Sequence, residues 1–172
     1  VIHPGASRNP DEMTPQPRDT IDQTLMERAL ALAELSPEVG RNPRVGCVLA
    51  TDTGEIVATG FHRGAGHPHA EIEALDDARR QGIDTHGLTA VVTLEPCSHQ
   101  GLTGPCSQAF VEAGISRVVF GATDPGVESA GGSERLRDAS IDVTGGVLEE
   151  QSVGINAHWF FAITNQRPFV TA

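Results

Sequence analysis

Residues 88–97 read Leu-Thr-Ala-Val-Val-Thr-Leu-Glu-Pro-Cys, an apolar strand that runs straight into a thiol. A glycine-rich loop follows, and the pattern then predicts a helix over 105–113. Further on, Arg117–Gly121 reads as another buried strand, Ser133–Ala139 as a short helix and Ile141–Thr144 as a last strand. Upstream, Val45–Ala50 and Glu55–Phe61 flank the turn Thr51-Asp52-Thr53-Gly54 and predict a hairpin. A hairpin followed by strand–helix alternation predicts an α/β fold, a mixed sheet with helices on both faces. Right-handed crossovers make the later strands parallel.

The remaining helices follow from periodicity. Ile21, Leu25, Ala29 and Leu32 recur at helical spacing behind a Thr20/Gln23 capping-box pair, and Pro37 and Gly40 end that helix. A second helix starts after Pro68 with Ile72, Leu75 and Ala78 on one side. Leu148–Ile163, containing Trp159, Phe160 and Phe161, predicts one closing apolar helix. Residues 1–18 are aperiodic and rich in proline and polar residues, and read as a disordered arm in which Met13 is a candidate natural start.

Composition narrows the function. At 172 residues the chain suits one domain with a real core. The net charge is −11, and all 12 cations are arginine. A lysine Schiff-base mechanism therefore has no nucleophile. Nucleic-acid binding lacks its basic footprint, so a small-molecule substrate is favoured, with any phosphate on it met by Arg, His or backbone N–H groups. No run approaches the roughly 18 apolar residues of a membrane span, and no leader resembles a signal peptide, so the expectation is a cytoplasmic protein without membrane contact. The cysteines are Cys47, Cys97 and Cys106, an odd count that argues against a disulfide framework. Cys47, in the run Val45-Gly46-Cys47-Val48-Leu49, reads as a buried small hydrophobe.

Two segments carry chemistry. His69-Ala70-Glu71 follows Pro68 at a predicted helix start; Cys97 ends a strand, and Cys106 follows Pro105 at another helix start. Helix N-termini favour thiolate over thiol. One imidazole and two thiolates make a three-donor zinc site with an open fourth position, the arrangement of a catalytic zinc. Glu71 stands two residues from His69 and does not share its helical face, so it can lean over the open position rather than bind the metal. Zinc lowers the pKa of water toward about 7, and the carboxylate can pass a proton to a leaving amine. These are the parts of a zinc-dependent hydrolytic deaminase. The alternative of another class is a non-catalytic, zinc-stapled interaction module, its metal closed by a fourth ligand from His62, His67 or His99.

The run His69-Ala70-Glu71 … Thr93-Leu94-Glu95-Pro96-Cys97-Ser98-His99 … Gly101 … Thr103 … Pro105-Cys106 resembles the deaminase domain of the bifunctional riboflavin-biosynthesis deaminase/reductases. The resemblance extends to Asn42-Pro43-Arg44-Val45-Gly46, Gly60-Phe61-His62, Asp124-Pro125 and Arg167-Pro168-Phe169-Val170, and so covers nearly everything from about residue 24 onward. Eight residues separate Cys97 from Cys106, where most other cytidine- and adenosine-deaminase relatives keep two.

The resemblance implies the cytidine-deaminase-like fold, a three-layer α/β/α sandwich around a five-stranded mixed sheet, assembled as a homodimer or higher homo-oligomer. It implies a zinc-dependent deaminase domain over 19–163 and a tail over 164–172 leading toward a reductase domain. It implies deamination of 2,5-diamino-6-ribosylamino-4(3H)-pyrimidinone 5′-phosphate, with His69, Cys97 and Cys106 as zinc ligands and Glu71 as proton shuttle. Asn42, His62, Ala70, His99, Thr103 and Asp124 become substrate contacts. Leu102 stands where the family usually has Lys or Arg, and Gly126 where it usually has Asn. A lost charge-assisted hydrogen bond is worth roughly 1.5–3 kcal/mol, so either Arg63 or Arg44 compensates or the substrate is another small aminopyrimidine, nucleoside or aminopurine. No G-x-G-x-x-G loop follows a strand, so NADP chemistry is not expected of this stretch.

Overall fold

The computed structural model describes residues 17–38, 41–99, 104–127 and 129–165. In chain order the elements are α1 (Pro17–Ala33), β1 (Gly46–Ala50), β2 (Ile56–Phe61), α2 (Ala70–Gln81), β3 (Thr89–Leu94), α3 (Cys106–Glu112), β4 (Arg117–Ala122), α4 (Gly132–Asp138), β5 (Asp142–Thr144), α5 (Glu149–Gly154) and α6 (Ala157–Asn165). The strands form one sheet in the order β2-β1-β3-β4-β5. β1 is antiparallel to both β2 and β3, whereas β3, β4 and β5 are parallel. This is the expected mixed sheet, and β3, with every residue buried, lies at its centre.

The pleat sends alternate residues of β1 to opposite layers. Val48 and Ala50 join Leu25, Met26 and Ala29 of α1, while Cys47 and Leu49 join Ala70, Ala74 and Ala78 of α2 in the larger core, which also takes in Phe110 of α3 and Leu136 of α4. Two glycines set how closely the helices approach. A Cβ on Gly46 would lie 2.0 Å from Ala29 O, and one on Gly60 would lie 2.2 Å from Ala70 O and 2.4 Å from Ala74 N. The first turn of α2 therefore rests directly on the backbone of β2. On the other face, buried Arg117 of β4 donates both terminal nitrogens to the carboxylate of buried Asp22, at 2.6 and 2.7 Å, pinning α1 to the parallel half of the sheet.

Three sequence expectations are corrected. The first helix starts at Pro17 rather than Thr20: proline fits the first helical position because its missing N–H needs no partner there, so Thr20 and Gln23 lie inside the helix rather than forming a capping box. Residues 17 and 18 thus belong to the helix, not the arm, and residues 1–16 lie outside the described ones. The buried side of α2 is Ala70, Glu71, Ala74, Leu75 and Ala78, with Ile72 only partly covered. The closing segment is two helices. Between them Asn156 is buried; its Oδ1 accepts from the Arg44 N–H at 2.7 Å and its Nδ2 donates to Arg44 O at 2.8 Å. The break serves that clamp, and α6 then runs two residues past the expected end, to Asn165.

Substitution Gly60→Ala is expected to lower stability by about 1–3 kcal/mol or more, because the atoms it meets are backbone and cannot swing aside. It should also loosen zinc retention, since α2 carries His69 at its start. Urea unfolding and metal content check this; a fully stable, fully zinc-loaded variant would contradict it.

Candidate active site

The site is built where two helices start and one strand ends. His69 is the N-cap of α2, with φ −68° and ψ 159°, an extended step that turns its ring out of the helix. Cys106 opens α3 directly after Pro105, and Cys97 lies three residues beyond β3. Ser107 holds these segments together: its N–H and its hydroxyl both donate to Cys97 O, at 3.2 and 3.0 Å. The Cys106 N–H points at Cys97 Sγ, 3.4 Å away.

The imidazole and the two thiols form a metal-binding group, with their ligand atoms all within 4.8 Å of one another. His69 Nδ1 is 3.3 Å from Cys106 Sγ and 3.7 Å from Cys97 Sγ. Bonds of about 2.3 Å to sulfur and about 2.0 Å to nitrogen, at a tetrahedral angle, put S and N about 3.6 Å apart. The observed separations bracket that value, and two sulfurs with one imidazole are the donors zinc prefers, so the residues present fit the ion. No fourth protein donor joins the group among the described residues. Both ring nitrogens of His62 are engaged elsewhere, and His67 is exposed.

The electrostatics show how three donors share protons. Cys97 is drawn down to about 4, first by the Cys106 thiol donating to it and then by His69. His69 rises to about 9, chiefly through its hydrogen bond to Cys97. Cys106 is pushed up because its proton is held between the two sulfurs. Cys47, buried in β1 outside the group, is held as a thiol by burial. That matches the role expected of it as a small hydrophobe.

A cavity of about 260 Å³ opens over these donors, lined among others by Asn42, His62, Ala70, Glu71, His99 and Asp124. Each substrate-contact candidate among the described residues is therefore on its wall; Thr103, like Leu102, lies outside the described residues. Glu71 is buried, and that burial raises its carboxyl above the usual range. Neutral His62 fits its partners: Nδ1–H donates to Pro68 O at 2.9 Å, and Nε2 accepts from Asn42 Nδ2 at 2.9 Å. Burial lowers the pKa of His62, consistent with that form. His99 Nδ1 is buried without a hydrogen-bond partner among the described residues, a polar atom suited to a ligand. Asp124 Oδ1 accepts from the Gly126 N–H at 2.8 Å, and a Cβ on Gly126 would meet Ser129 Oγ at 2.4 Å. Gly126 thus suits this loop.

Glu95 and Trp159 are among the lining residues to which the sequence assigned no role. Glu95 is buried, its carboxylate accepting from the Ser133 N–H at 3.0 Å and the Asp124 N–H at 3.4 Å, so it ties the ends of β3 and β4 to the start of α4. Its signal was a carboxylate directly after an apolar strand. Trp159 reaches the cavity from α6. Only the break before α6 aims it there, and no local pattern announces that break.

Loading zinc onto chelator-stripped protein at pH 7 is expected to release about two protons, one from the His69 imidazolium and one from the Cys106 thiol. Because both groups hold their protons in the raised range, apparent affinity should climb about a hundredfold per pH unit between pH 6 and pH 8. Chelator competition across that range checks this, and a pH-independent affinity would contradict it.

Residues 19–122 match the cytidine and deoxycytidylate deaminase zinc-binding region. The chain is 44% identical over 153 residues to riboflavin biosynthesis protein RibD of Aquifex aeolicus, covering 88% of this chain and 42% of that protein. It superposes with a TM-score of 0.85 and 43% identity on the crystal structure of a diaminohydroxyphosphoribosylaminopyrimidine deaminase/5-amino-6-(5-phosphoribosylamino)uracil reductase from Thermotoga maritima, covering 88% of this chain and 43% of that one. A Rib2 deaminase from Aspergillus oryzae, a C-terminal deletion mutant, matches with a TM-score of 0.67 and 27% identity over 84% of this chain and 94% of that one. The chain thus spans about two fifths of the Aquifex and Thermotoga relatives and nearly the whole of the Rib2 deletion mutant. It belongs to the cytidine and deoxycytidylate deaminase zinc-binding family.

Proposed function

We propose that this chain is a zinc-dependent hydrolytic deaminase of 2,5-diamino-6-ribosylamino-4(3H)-pyrimidinone 5′-phosphate, acting in riboflavin biosynthesis. The observation that carries the reading is a buried carboxylate, Glu71, on the wall of the cavity that opens over a three-donor zinc site. The names of the relatives support the substrate. The second reading is another small aminopyrimidine, nucleoside or aminopurine, favoured by Leu102 and Gly126 where the family usually carries Lys or Arg and Asn; the substrate assay below decides between them.

His69, Cys97 and Cys106 hold the zinc, which when bound supplies the Lewis acidity that makes water a nucleophile near neutral pH. Glu71 takes a proton from the attacking water on its carboxylate and returns it to the departing amine. Water adds at C2, the C–N bond breaks, and ammonia leaves. A carboxyl held high by burial is suited to both halves of that transfer. Asn42 and His62 form a linked pair: His62 Nε2 is occupied by Asn42, leaving the amide oxygen of Asn42 to meet a donor on the substrate. Ala70, His99 and Asp124 contact the heterocycle and its substituents, joined by Thr103.

The partner is this small molecule, and the chain works as a cytoplasmic homodimer or higher homo-oligomer. Among the described residues no helix is long and apolar enough to cross a membrane. The charge of −11 opposes nucleic-acid binding.

Glu71→Gln is expected to keep zinc and fold while losing about 10²- to 10⁴-fold in kcat for ammonia release from the diaminopyrimidinone phosphate. A variant as active as the parent would remove Glu71 from the reaction. A parent inactive on this compound, yet active on another aminopyrimidine, would replace the substrate while keeping the chemistry.

A further inference from the structure

We propose that Trp159 is a specificity-determining residue of the reaction: its indole is the aromatic wall against which a flat face of the substrate's heterocycle lies. The proposal rests on the deaminase reading for the identity of that heterocycle. Trp159 stands in the first turn of α6 and lines the catalytic cavity. It is half-buried and packs against the larger core. The sequence holds one tryptophan and no tyrosine, and its single indole is placed at this cavity.

The lining of the cavity divides by polarity. Glu71, Glu95, His99 and Asp124 supply hydrogen-bonding groups, whereas Pro43, Val45, Leu94 and Trp159 are apolar. A planar amino heterocycle divides in the same way, with donors and acceptors around its edge and π surface on its two faces. An edge directed at the polar groups leaves a face for the apolar ones. Among the described lining residues Trp159 is the one carbon-ring aromatic; the other rings are histidines. His69 belongs to the metal-binding group, and His62 stands nearly perpendicular to it, at 81°, with both nitrogens bonded. Phe160 meets the indole at 85° with centroids 5.2 Å apart, so it can cover at most one indole face.

One side chain ties the apolar wall together. Pro43 and Val45 flank Arg44, whose N–H and carbonyl are both bonded by Asn156. The Phe160 N–H donates to Asn156 O at 2.9 Å, closing the turn of α6 that carries Trp159. Asn156 thereby fixes the Trp159 turn against the segment that brings Pro43 and Val45 to the cavity. A ring already packed against the core and held by this clamp loses little freedom when a ligand meets it.

The test uses zinc-loaded parent, Trp159→Phe, Trp159→Leu and, as a control on the same helix, Phe161→Ala. Zinc-loaded Glu71→Gln protein is titrated with the diaminopyrimidinone phosphate and with ribose 5-phosphate, following the emission of the single tryptophan. The first compound should quench it saturably and the second, which lacks a heterocycle, should not. Stacking holds substrate and transition state alike, so Trp159→Leu should raise KM about fivefold to a hundredfold while kcat changes little. Trp159→Phe keeps a π face and should stay close to the parent, as should Phe161→Ala. A leucine variant as good as the phenylalanine one would overturn the proposal by showing that the wall need only be apolar. Emission unchanged at saturating substrate would overturn it too, leaving the deaminase reading intact if the parent still releases ammonia. A parent inert toward the diaminopyrimidinone phosphate, yet quenched by and active on another amino heterocycle with the same order of variants, would uphold the wall and reject the substrate.

Discussion

Everything in this molecule depends on bringing two thiols and an imidazole, from three separate segments, to within 4.8 Å of one another inside a partly dry pocket. Collecting ionisable groups away from water is costly unless each finds a partner. The fold meets that cost in two ways. Close packing of α2 on β2, allowed by the missing side chain at Gly60, fixes where His69 stands. The backbone then stabilises sulfur, with the Cys106 N–H aimed at Cys97 and Ser107 binding the Cys97 carbonyl from two sides. Packing and these hydrogen bonds together set where the three donors stand.

The sheet divides labour between its faces. The α1 face carries the Arg117–Asp22 pair and a core without reactive groups. The opposite face and the carboxyl ends of β3 and β4 carry the chemistry, where parallel strands hand over to loops and helix starts. Glu95 links the two strand ends to α4, so that Asp124 and the cysteine segment are braced against one another. The Asn156 clamp on Arg44 does the same for the Asn42 side and sets α6, with Trp159, beside the pocket.

Much of this was legible in the chain. The strands are continuous or alternating apolar runs between turn residues, and each was found within a residue of its ends, because side-chain burial and backbone period agree there. The donors were legible because few arrangements bring His-x-Glu and two prolyl-cysteine steps to strand and helix ends. What local sequence hid depended on distant partners. Nothing near Asn156 says that Arg44, 112 residues away, will draw its side chain out and split an apolar helix. Likewise Arg44 looked as available as Arg63, and only the fold turns it toward Glu34. Pro17 reads as part of a polar arm because the helix's apolar period begins later, at Ile21.

The central claim is an open zinc site with two sulfur donors, and X-ray absorption at the zinc edge of the purified protein tests it most directly. The account predicts one zinc per chain with two sulfurs at about 2.3 Å and two nitrogen or oxygen atoms at about 2.0 Å, one of them from outside the protein. A shell of three sulfurs, which would require Cys47 to leave β1, or an absence of stoichiometric zinc in active material, would contradict it.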